Sequence, residues 1–444
     1  MEQSSVDVAV VGLVDAAGNG DSSVRLSDGL TGRAVLEGRM ASFPNLRHVR
    51  LFAHAVATNS LSKAAEAVRV SQPAASQALS KLEAYFRGPL FERRGTGVFP
   101  TPRGLIVAAR AERALDLLRA ANVRLARHSR IGRALAQDLL ETHATIAHLR
   151  AIAAFAQTGS FSAAARRLDQ AEPSVQRAAR ELERIGGVAL FDGKQVVRLT
   201  PTGSMLANCA SLMLREIESA VEEVGELDGR FDGNIVIGTL PLVRTTVVPG
   251  AVAEWTRQRP GASIEILDGA YDVLIHGLSI GDIDMLVGAL RESPAPRGLV
   301  QETLFNDGLS IIARAGHPLF GQAAVTYEDL SRFPWILPRK GTPTRAIFDG
   351  IATKFGIQPP GTGLVETGSL VALRGILLET DRLTILSRRQ IAYEERTGLL
   401  GVIPIELPPT DRPIGVTTRS GWKPTVLQGE FLDALRRAAA AEAG

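Results

Sequence analysis

The chain says the same thing twice. Ser60-Leu61-Ser62-Lys63-Ala64-Ala65, Pro73, Leu82-Glu83, Leu90-Phe91 and Thr101-Pro102-Arg103-Gly104 return as Ser160-Phe161-Ser162-Ala163-Ala164-Ala165, Pro173, Leu182-Glu183, Leu190-Phe191 and Thr200-Pro201-Thr202-Gly203. The offset is 100 residues throughout and slips by one only at the last segment. A loop is where a one-residue deletion is tolerated. Internal duplication of a unit of about sixty residues is the economical explanation, so any fold assigned to the chain has to contain that unit in two copies.

Composition bounds the rest. With 444 residues, 45% apolar and 22% charged, the chain has room for several domains with true hydrophobic cores. Cys209 is the one cysteine, which excludes an intramolecular disulfide or a multi-cysteine zinc site and fits a reducing compartment. No apolar run approaches the roughly 20 residues of a membrane span. Glu2 and Asp7 precede the short apolar run Val8 to Val14, so the basic leader of a secretory signal is missing. A cytoplasmic protein without a membrane partner is expected.

The formal charge of +3 is unevenly spread. Residues 41–131 hold 15 Lys/Arg against 5 Asp/Glu, whereas residues 132–230 hold 11 against 13 and residues 231–444 hold 21 against 23. One basic segment on an otherwise slightly acidic chain is the footprint of a polyanion-binding module.

In the first copy, Leu46, Val49, Phe52, Ala53 and Val56 recur at helical spacing, and Asn59-Ser60 ends the helix. Ser60 or Ser62 can cap a second helix from Ala64 to Val70; Ser71 can cap a third with Pro73 in its first turn, where the missing N–H costs nothing. Two short helices joined by a tight turn form a helix-turn-helix. The third helix presents Gln72, Ser76, Gln77, Ser80 and Lys81 on one face, with Ala75, Ala78, Leu79 and Leu82 turned inward. Amides and hydroxyls so placed can pair with base edges in a major groove, and the helix N-terminus favours a phosphate. Leu90 to Val98 reads as a strand, a basic turn with Arg93 and Arg94, and a returning strand: a wing that can touch the sugar-phosphate backbone.

These segments, met in order and at the right spacing, resemble the winged helix-turn-helix of LysR-type transcriptional regulators. The resemblance implies that Gln72, Pro73, Ser76 and Gln77 enter the major groove of double-stranded DNA and that Arg93 and Arg94 hold phosphates. One departure is that the glycine after the recognition helix falls at Gly88, one place later than the family pattern.

The second copy keeps the apolar skeleton (Ile146, Leu149, Ile152, Phe155, Ala164, Ala165, Leu168, Val175, Leu182, Leu190, Phe191) and changes the reading face. Ala171-Glu172-Pro173-Ser174-Val175-Gln176-Arg177 replaces Ser71-Gln72-Pro73-Ala74-Ala75-Ser76-Gln77, and the wing has Asp192-Gly193-Lys194-Gln195. Glu172 meets phosphate repulsion unless it accepts from a cytosine amino group. Gln176, Arg177, Arg180 and Lys194 form a candidate second DNA site. Altered DNA contact and a purely structural role both remain open on the sequence. Each copy is followed by a helix with a heptad seam: Ala108, Ala111, Leu115, Leu118, Asn122 and Leu125, then Leu206, Ala210, Met213, Ile217, Ala220, Val224 and Leu227. Helices of this kind pair, within the chain or between chains, the alternative being that either packs on its own winged head.

From Gly233 short β-branched runs alternate with helical stretches. Strands are expected at 234–239, 263–267, 284–288, 309–313, 334–338, 363–366, 383–386 and 414–418, giving a two-lobe α/β domain with largely parallel sheets and a cleft. Ligands in such sheets sit beyond the carboxyl ends of strands, beside helix N-termini. The candidates are therefore Thr239, Leu240, Pro241, Thr245, Gly269, Arg339, Gly341, Thr342, Thr367, Gly368 and Ser369. The set suits a small polar or anionic effector, although any one hydroxyl could simply cap a helix. This half resembles the LysR effector-binding domain, similar to periplasmic binding proteins, and more faintly the galactose-binding-protein regulator branch, which implies a sugar or aromatic acid effector.

The expected architecture is thus an α/β multidomain chain. It has an extension over 1–43, winged heads over 44–104 and 143–204, linker helices over 105–130 and 205–229, and the effector domain over 232–438. Met40-Ala41-Ser42-Phe43 reads like a start, so initiation at Met40 is expected. A homo-oligomer, dimer or tetramer, is expected, and no cofactor. His276 and His317 are isolated, and no nucleophile–base pair or metal spacing appears, which argues against an enzyme.

Overall fold

The computed structural model describes residues 43–95, 97–128, 139–193, 196–291, 295–358, 360 and 363–443. The expected extension, the Met40 start and Lys194 lie outside the described residues, as does the side chain of Arg93.

Short polar caps set the first head. Asn45 accepts from Arg47 N at 2.8 Å to open α1 (Leu46–Thr58), and Asn59 closes it at φ 49°. Ser60 caps α2 (Leu61–Val68), and Ser71 caps α3 (Gln72–Tyr85) with Pro73 in its first turn. The wing is the antiparallel pair β1 (Phe91–Arg94) and β2 (Gly97–Pro100), which leads into the linker helix α4 (Pro102–His128). After α5 (Leu139–His143) the same order returns as α6 (Ile146–Thr158), α7 (Phe161–Leu168), α8 (Glu172–Gly186), β3 (Phe191–Asp192), β4 (Arg198–Leu199) and the linker helix α9 (Pro201–Leu227).

The repeated residues recur because they meet the same physical demands. Glu83 and Glu183 each accept a backbone N–H at 2.9 Å, from Leu90 and Leu190, tying the recognition helix to the wing. Gly104 and Gly203 leave no room for a side chain: a Cβ would sit 2.0 Å from the Leu90 or Leu190 carbonyl oxygen. Phe52 against Phe91 and Phe155 against Phe191 both have ring centroids 5.1 Å apart.

The linker seams are buried against each other. Leu115, Leu118, Asn122 and Leu125 on α4, and Leu206, Ala210, Met213, Ile217, Ala220 and Val224 on α9, are all at most 3% exposed; Leu227, expected to close the second seam, is 49% exposed. A single hydrophobic cluster runs from Leu46 to Val224 through both heads and both linkers.

The carboxyl-terminal half is two lobes. Its elements in order are β5 (Asn234–Thr239), α10 (Val247–Gln258), β6 (Ser263–Asp268), α11 (Tyr271–Ile280), β7 (Met285–Ala289), β8 (Leu299–Asp307), β9 (Ser310–Arg314), α12 (Tyr327–Leu330) and β10 (Trp335–Leu337). They continue with α13 (Pro343–Phe355), β11 (Val365–Glu366), α14 (Leu370–Glu379), β12 (Leu383–Leu386), α15 (Ala392–Arg396), β13 (Leu400–Val402), β14 (Arg412–Arg419) and α16 (Val426–Ala443). The first lobe is the sheet β6-β5-β7-β14-β8 and the second is β11-β10-β12-β9-β13. Each is mixed, which corrects the largely parallel sheets expected. β5 runs parallel to β6 and β7, while β14 enters antiparallel between β7 and β8; β10 runs parallel to β11 and β12, while β9 is antiparallel to β12 and β13. The chain crosses between lobes after β8 and again before β14, so two adjacent segments form the hinge. Asp307, 3% exposed, sits at that crossing and accepts from the Ser387 hydroxyl at 2.7 Å and from Arg412 at 3.4 Å.

Candidate nucleic-acid interface and effector cleft

On α3 the inward residues Ala75, Ala78 and Leu82 are buried, while Ser71, Gln72, Pro73, Ser76, Gln77 and Lys81 are exposed on the opposite face. Their side chains divide by task. The Ser71 oxygen accepts from Ala74 N, so it serves the helix start. Gln72, Gln77 and Lys81 make no hydrogen bond or ion pair among the described residues and are available to a groove. Lys81, after burial itself, helps to push the His48 pKa down, a sign of local positive potential. Arg94 is engaged within the wing by Glu92 on the same strand, so it reaches a phosphate only by exchanging that partner.

The second head turns Glu172, Gln176 and Arg177 outward from α8 in the equivalent places. Ala171 supplies no side-chain cap where Ser71 supplies one. Arg180 departs from the expectation of a DNA contact. It donates to Glu183 at 2.8 Å and lies 4.8 Å from the centre of the Phe191 ring, so its head's own packing holds it.

In the carboxyl-terminal half, the expected effector residues separate into three groups. Thr239 is fully buried and its hydroxyl donates to the Leu267 carbonyl at 3.2 Å, because the strand that carries it is paired on both sides; it is not on a ligand-facing surface. Thr342 and Ser369 cap α13 and α14, accepting from Arg345 N and Ala372 N at 3.3 Å each, while Thr367 accepts from Ser369 N at 3.0 Å. Their oxygens are thus partly used, though the adjoining helix N-termini remain anion-favouring. Pro241, Thr245, Gly269, Arg339, Gly341 and Gly368 are exposed and Leu240 is half-buried.

Sequence reasoning missed the residue that joins the two rims. Arg291, just beyond β7, stacks 3.9 Å above the Tyr271 ring and donates to the Gly341 carbonyl at 3.4 Å, across from one lobe to the other. It obeys the same rule as the others, lying just after a strand end. A guanidinium there, beside the α13 N-terminus, is a natural counter-charge for a carboxylate.

The linker helices are wired to each other and to the first lobe by charge. Arg110, almost fully buried on α4, donates to Glu216 at 2.9 Å, Glu223 at 2.6 Å and the Lys423 carbonyl at 2.9 Å. Burial opposes its charge, yet the bonds to Glu223 and the field of Glu216 hold its pKa above the ordinary value. Arg215 on α9 pairs with Glu222 at 2.8 Å and with the fully buried Asp284 at 3.3 Å; Asp284 also accepts from Val236 N at 2.9 Å inside the sheet. The Glu226 carboxylate accepts from Val426 N and Leu427 N at the start of α16.

Helical heads with a groove-sized polar face, mounted through paired helices on a two-lobed α/β cleft, define a ligand-responsive DNA-binding regulator. The family model described as "Bacterial regulatory helix-turn-helix protein, lysR family" matches residues 46–105 and again 146–204, and the "LysR substrate binding domain" matches 228–440. The HTH-type transcriptional regulator GalR of Pseudomonas putida is 32% identical over 385 residues, covering 85% of this chain and 93% of its own. The regulator GbpR of Azospirillum brasilense is 24% identical over 279 residues, 62% of this chain and 81% of its own. Full-length OxyR from Pseudomonas aeruginosa shares the fold, with a TM-score of 0.50 at 21% identity over 67% of this chain and 95% of that one. The chain belongs to the LysR family of transcriptional regulators: it binds DNA and is controlled by a small-molecule effector.

Proposed function

We propose that the first head reads its operator through Gln72, Pro73, Ser76 and Gln77 in the major groove, with the α3 N-terminus against the backbone and Lys81, Arg93 and Arg94 on phosphates. The observation that carries this is the α3 face itself, exposed and left unpaired while the opposite face is sealed in the core. A small polar or anionic effector, a sugar or aromatic acid, takes the cleft between the lobes, beside Thr245, Gly269, Arg291, Gly341, Thr342 and the Thr367-Gly368-Ser369 loop. Closure on the ligand shifts the population of the linker-mounted heads by the difference in its affinity for open and closed lobes. The protein works in the cytoplasm as a homo-oligomer and performs no catalysis; self-association uses surfaces other than the linker seams, which are buried within the chain.

Fluorescence anisotropy with operator duplex tests the first half of this reading. Gln72→Ala with Gln77→Ala weakens binding to specific DNA while leaving the salt slope, and Lys81→Ala lowers that slope by about one. Unchanged affinity for both variants removes α3 as the reader. Thermal shift with a panel of small sugars, benzoates and dicarboxylates tests the second half. The stabilising ligand loses its effect with Arg291→Ala, and a shift that persists undiminished places the site elsewhere.

A further inference from the structure

The two copies are related by more than sequence, because their contacts are reciprocal. On the linkers, Arg110 near the start of α4 meets Glu223 near the end of α9, and Arg124 near the end of α4 lies close enough to Cys209 near the start of α9 to act on its thiol. With the linker offset of 99 residues, Cys209 is the counterpart of Arg110 and Arg124 the counterpart of Glu223. A second pair agrees. Arg113 binds Glu216, and their counterparts Leu212 and Leu117 share one apolar cluster. On the heads, Arg50 donates to the Glu141 carbonyl at 2.8 Å, in the segment leading into the second copy, and its counterpart Arg150 lies 5.4 Å from the ring of Phe43, leading into the first. Contacts of the form i-to-j and j-to-i are the mark of a two-fold interface, here formed inside one polypeptide.

The antiparallel pairing sets the heads at opposite ends of the linker pair. Each linker helix has 27 residues. At 1.5 Å rise per residue that is a bar about 40 Å long, the order of the roughly 34 Å between successive major grooves on one face of a duplex. The outward faces of the two recognition helices then differ residue by residue: Gln72, Ser76 and Gln77 on one, Glu172, Gln176 and Arg177 on the other. Arg177 is exposed and makes no hydrogen bond or ion pair among the described residues.

We propose that a single chain is a complete two-headed DNA reader, in which α8 binds a second half-site of different sequence from the one read by α3, so that the operator is asymmetric. This rests on the reading of α3 as a DNA reader. At the second half-site Arg177 takes a guanine, by the bidentate fit of guanidinium to its O6 and N7, and Glu172 accepts from a cytosine N4 amino group, the usual major-groove partner of a carboxylate, which offsets its repulsion from phosphate.

Selection from randomised duplexes with the full-length protein tests this. Two unlike half-sites are expected, both occupied by the two heads of one chain, so that mass photometry counts one chain for each pair of half-sites protected. Arg177→Ala lowers affinity for the selected site about tenfold and flattens the base preference in one half-site only. Glu172→Gln moves preference at one position from cytosine to adenine, because a carboxamide pairs with adenine N6 and N7; this variant keeps the side-chain size and guards against a folding defect. Gln72→Ala with Gln77→Ala flattens the other half-site. A palindromic selected site, a single half-site, two chains for each pair of half-sites, or an unchanged preference in both second-head variants overturns the proposal. Loss of preference confined to the second-head variants, with none from Gln72→Ala and Gln77→Ala, instead overturns the assignment of α3.

Discussion

Cys209 shows how much a single position is decided by surroundings. It lies on α9 facing the partner linker, fully enclosed, and burial raises its thiol to about 11 despite the nearby Arg124. Since the thiolate is the reactive form, the folded protein should resist iodoacetamide at pH 8 and the urea-unfolded protein should be labelled at this one site; rapid labelling of the native protein contradicts the packed linker pair. A buried structural thiol is what the sequence suggests from the position of Cys209 near the seam. Arg180 and Thr239 went the other way. Both have the right chemistry for binding, yet Phe191 and Glu183 claim the first and the Leu267 carbonyl claims the second. A side chain's polarity is written in the sequence; which neighbour takes it first is not.

The displaced glycine after the first recognition helix has an explanation at the level of the helix end. Arg87 holds the left-handed backbone, φ 57°, that Gly187 holds at φ 61° in the second copy. Glycine moves to position 88 because a Cβ there would fall 2.7 Å from Arg103, whose guanidinium donates to the Phe86 carbonyl at 2.8 Å and pairs with Asp228. Arg87→Gly therefore removes a left-handed penalty and should stabilise the protein by about 0.5–1 kcal/mol in urea unfolding; a loss of stability contradicts this account of the turn. Elements with one sealed face were legible in the sequence. The stripes of α1 and α6, the seams of α4 and α9, and the buried runs of β5, β7, β9 and β12 all carry their periodicity in apolar residues. β8 is not legible because it lies at a sheet edge with the alternation broken by Gln301, Glu302 and Asn306, and β13 because three residues at an edge leave no pattern. Arg291 was missed because its significance depends on a glycine loop of the other lobe, 50 residues away.

At the scale of the whole molecule, Arg215 is the tie between linker and sheet. Burial works against its charge, but Glu222, Asp284 and Glu218 more than compensate and raise its pKa well above the ordinary value. Arg215→Ala leaves Asp284 charged and enclosed, a loss on the order of 3–5 kcal/mol, readable as a lowered urea midpoint; Arg215→Ala with Asp284→Asn should recover part of it, and a double variant no better than the single removes the pairing as the cause. The pH response follows from five histidines. His48, His54, His148, His276 and His317 all have pKa values lowered, burial being the largest cause for each. The unfolded chain therefore takes up these protons first, so stability is full above the ordinary histidine value near 6.5 and falls as pH drops through the lowered folded values. Urea midpoints that stay level from pH 7.5 to 5 contradict this.

The union of α4 and α9 inside one polypeptide also fixes how the regulator responds to dilution. Subunits that must meet in solution to mount their heads come apart as their number falls, whereas helices tethered to each other experience a local concentration set by the connecting segment alone. Even a cell holding a handful of these molecules would keep the two heads of every chain assembled, and copy number would act only through association between chains and occupancy of the promoter.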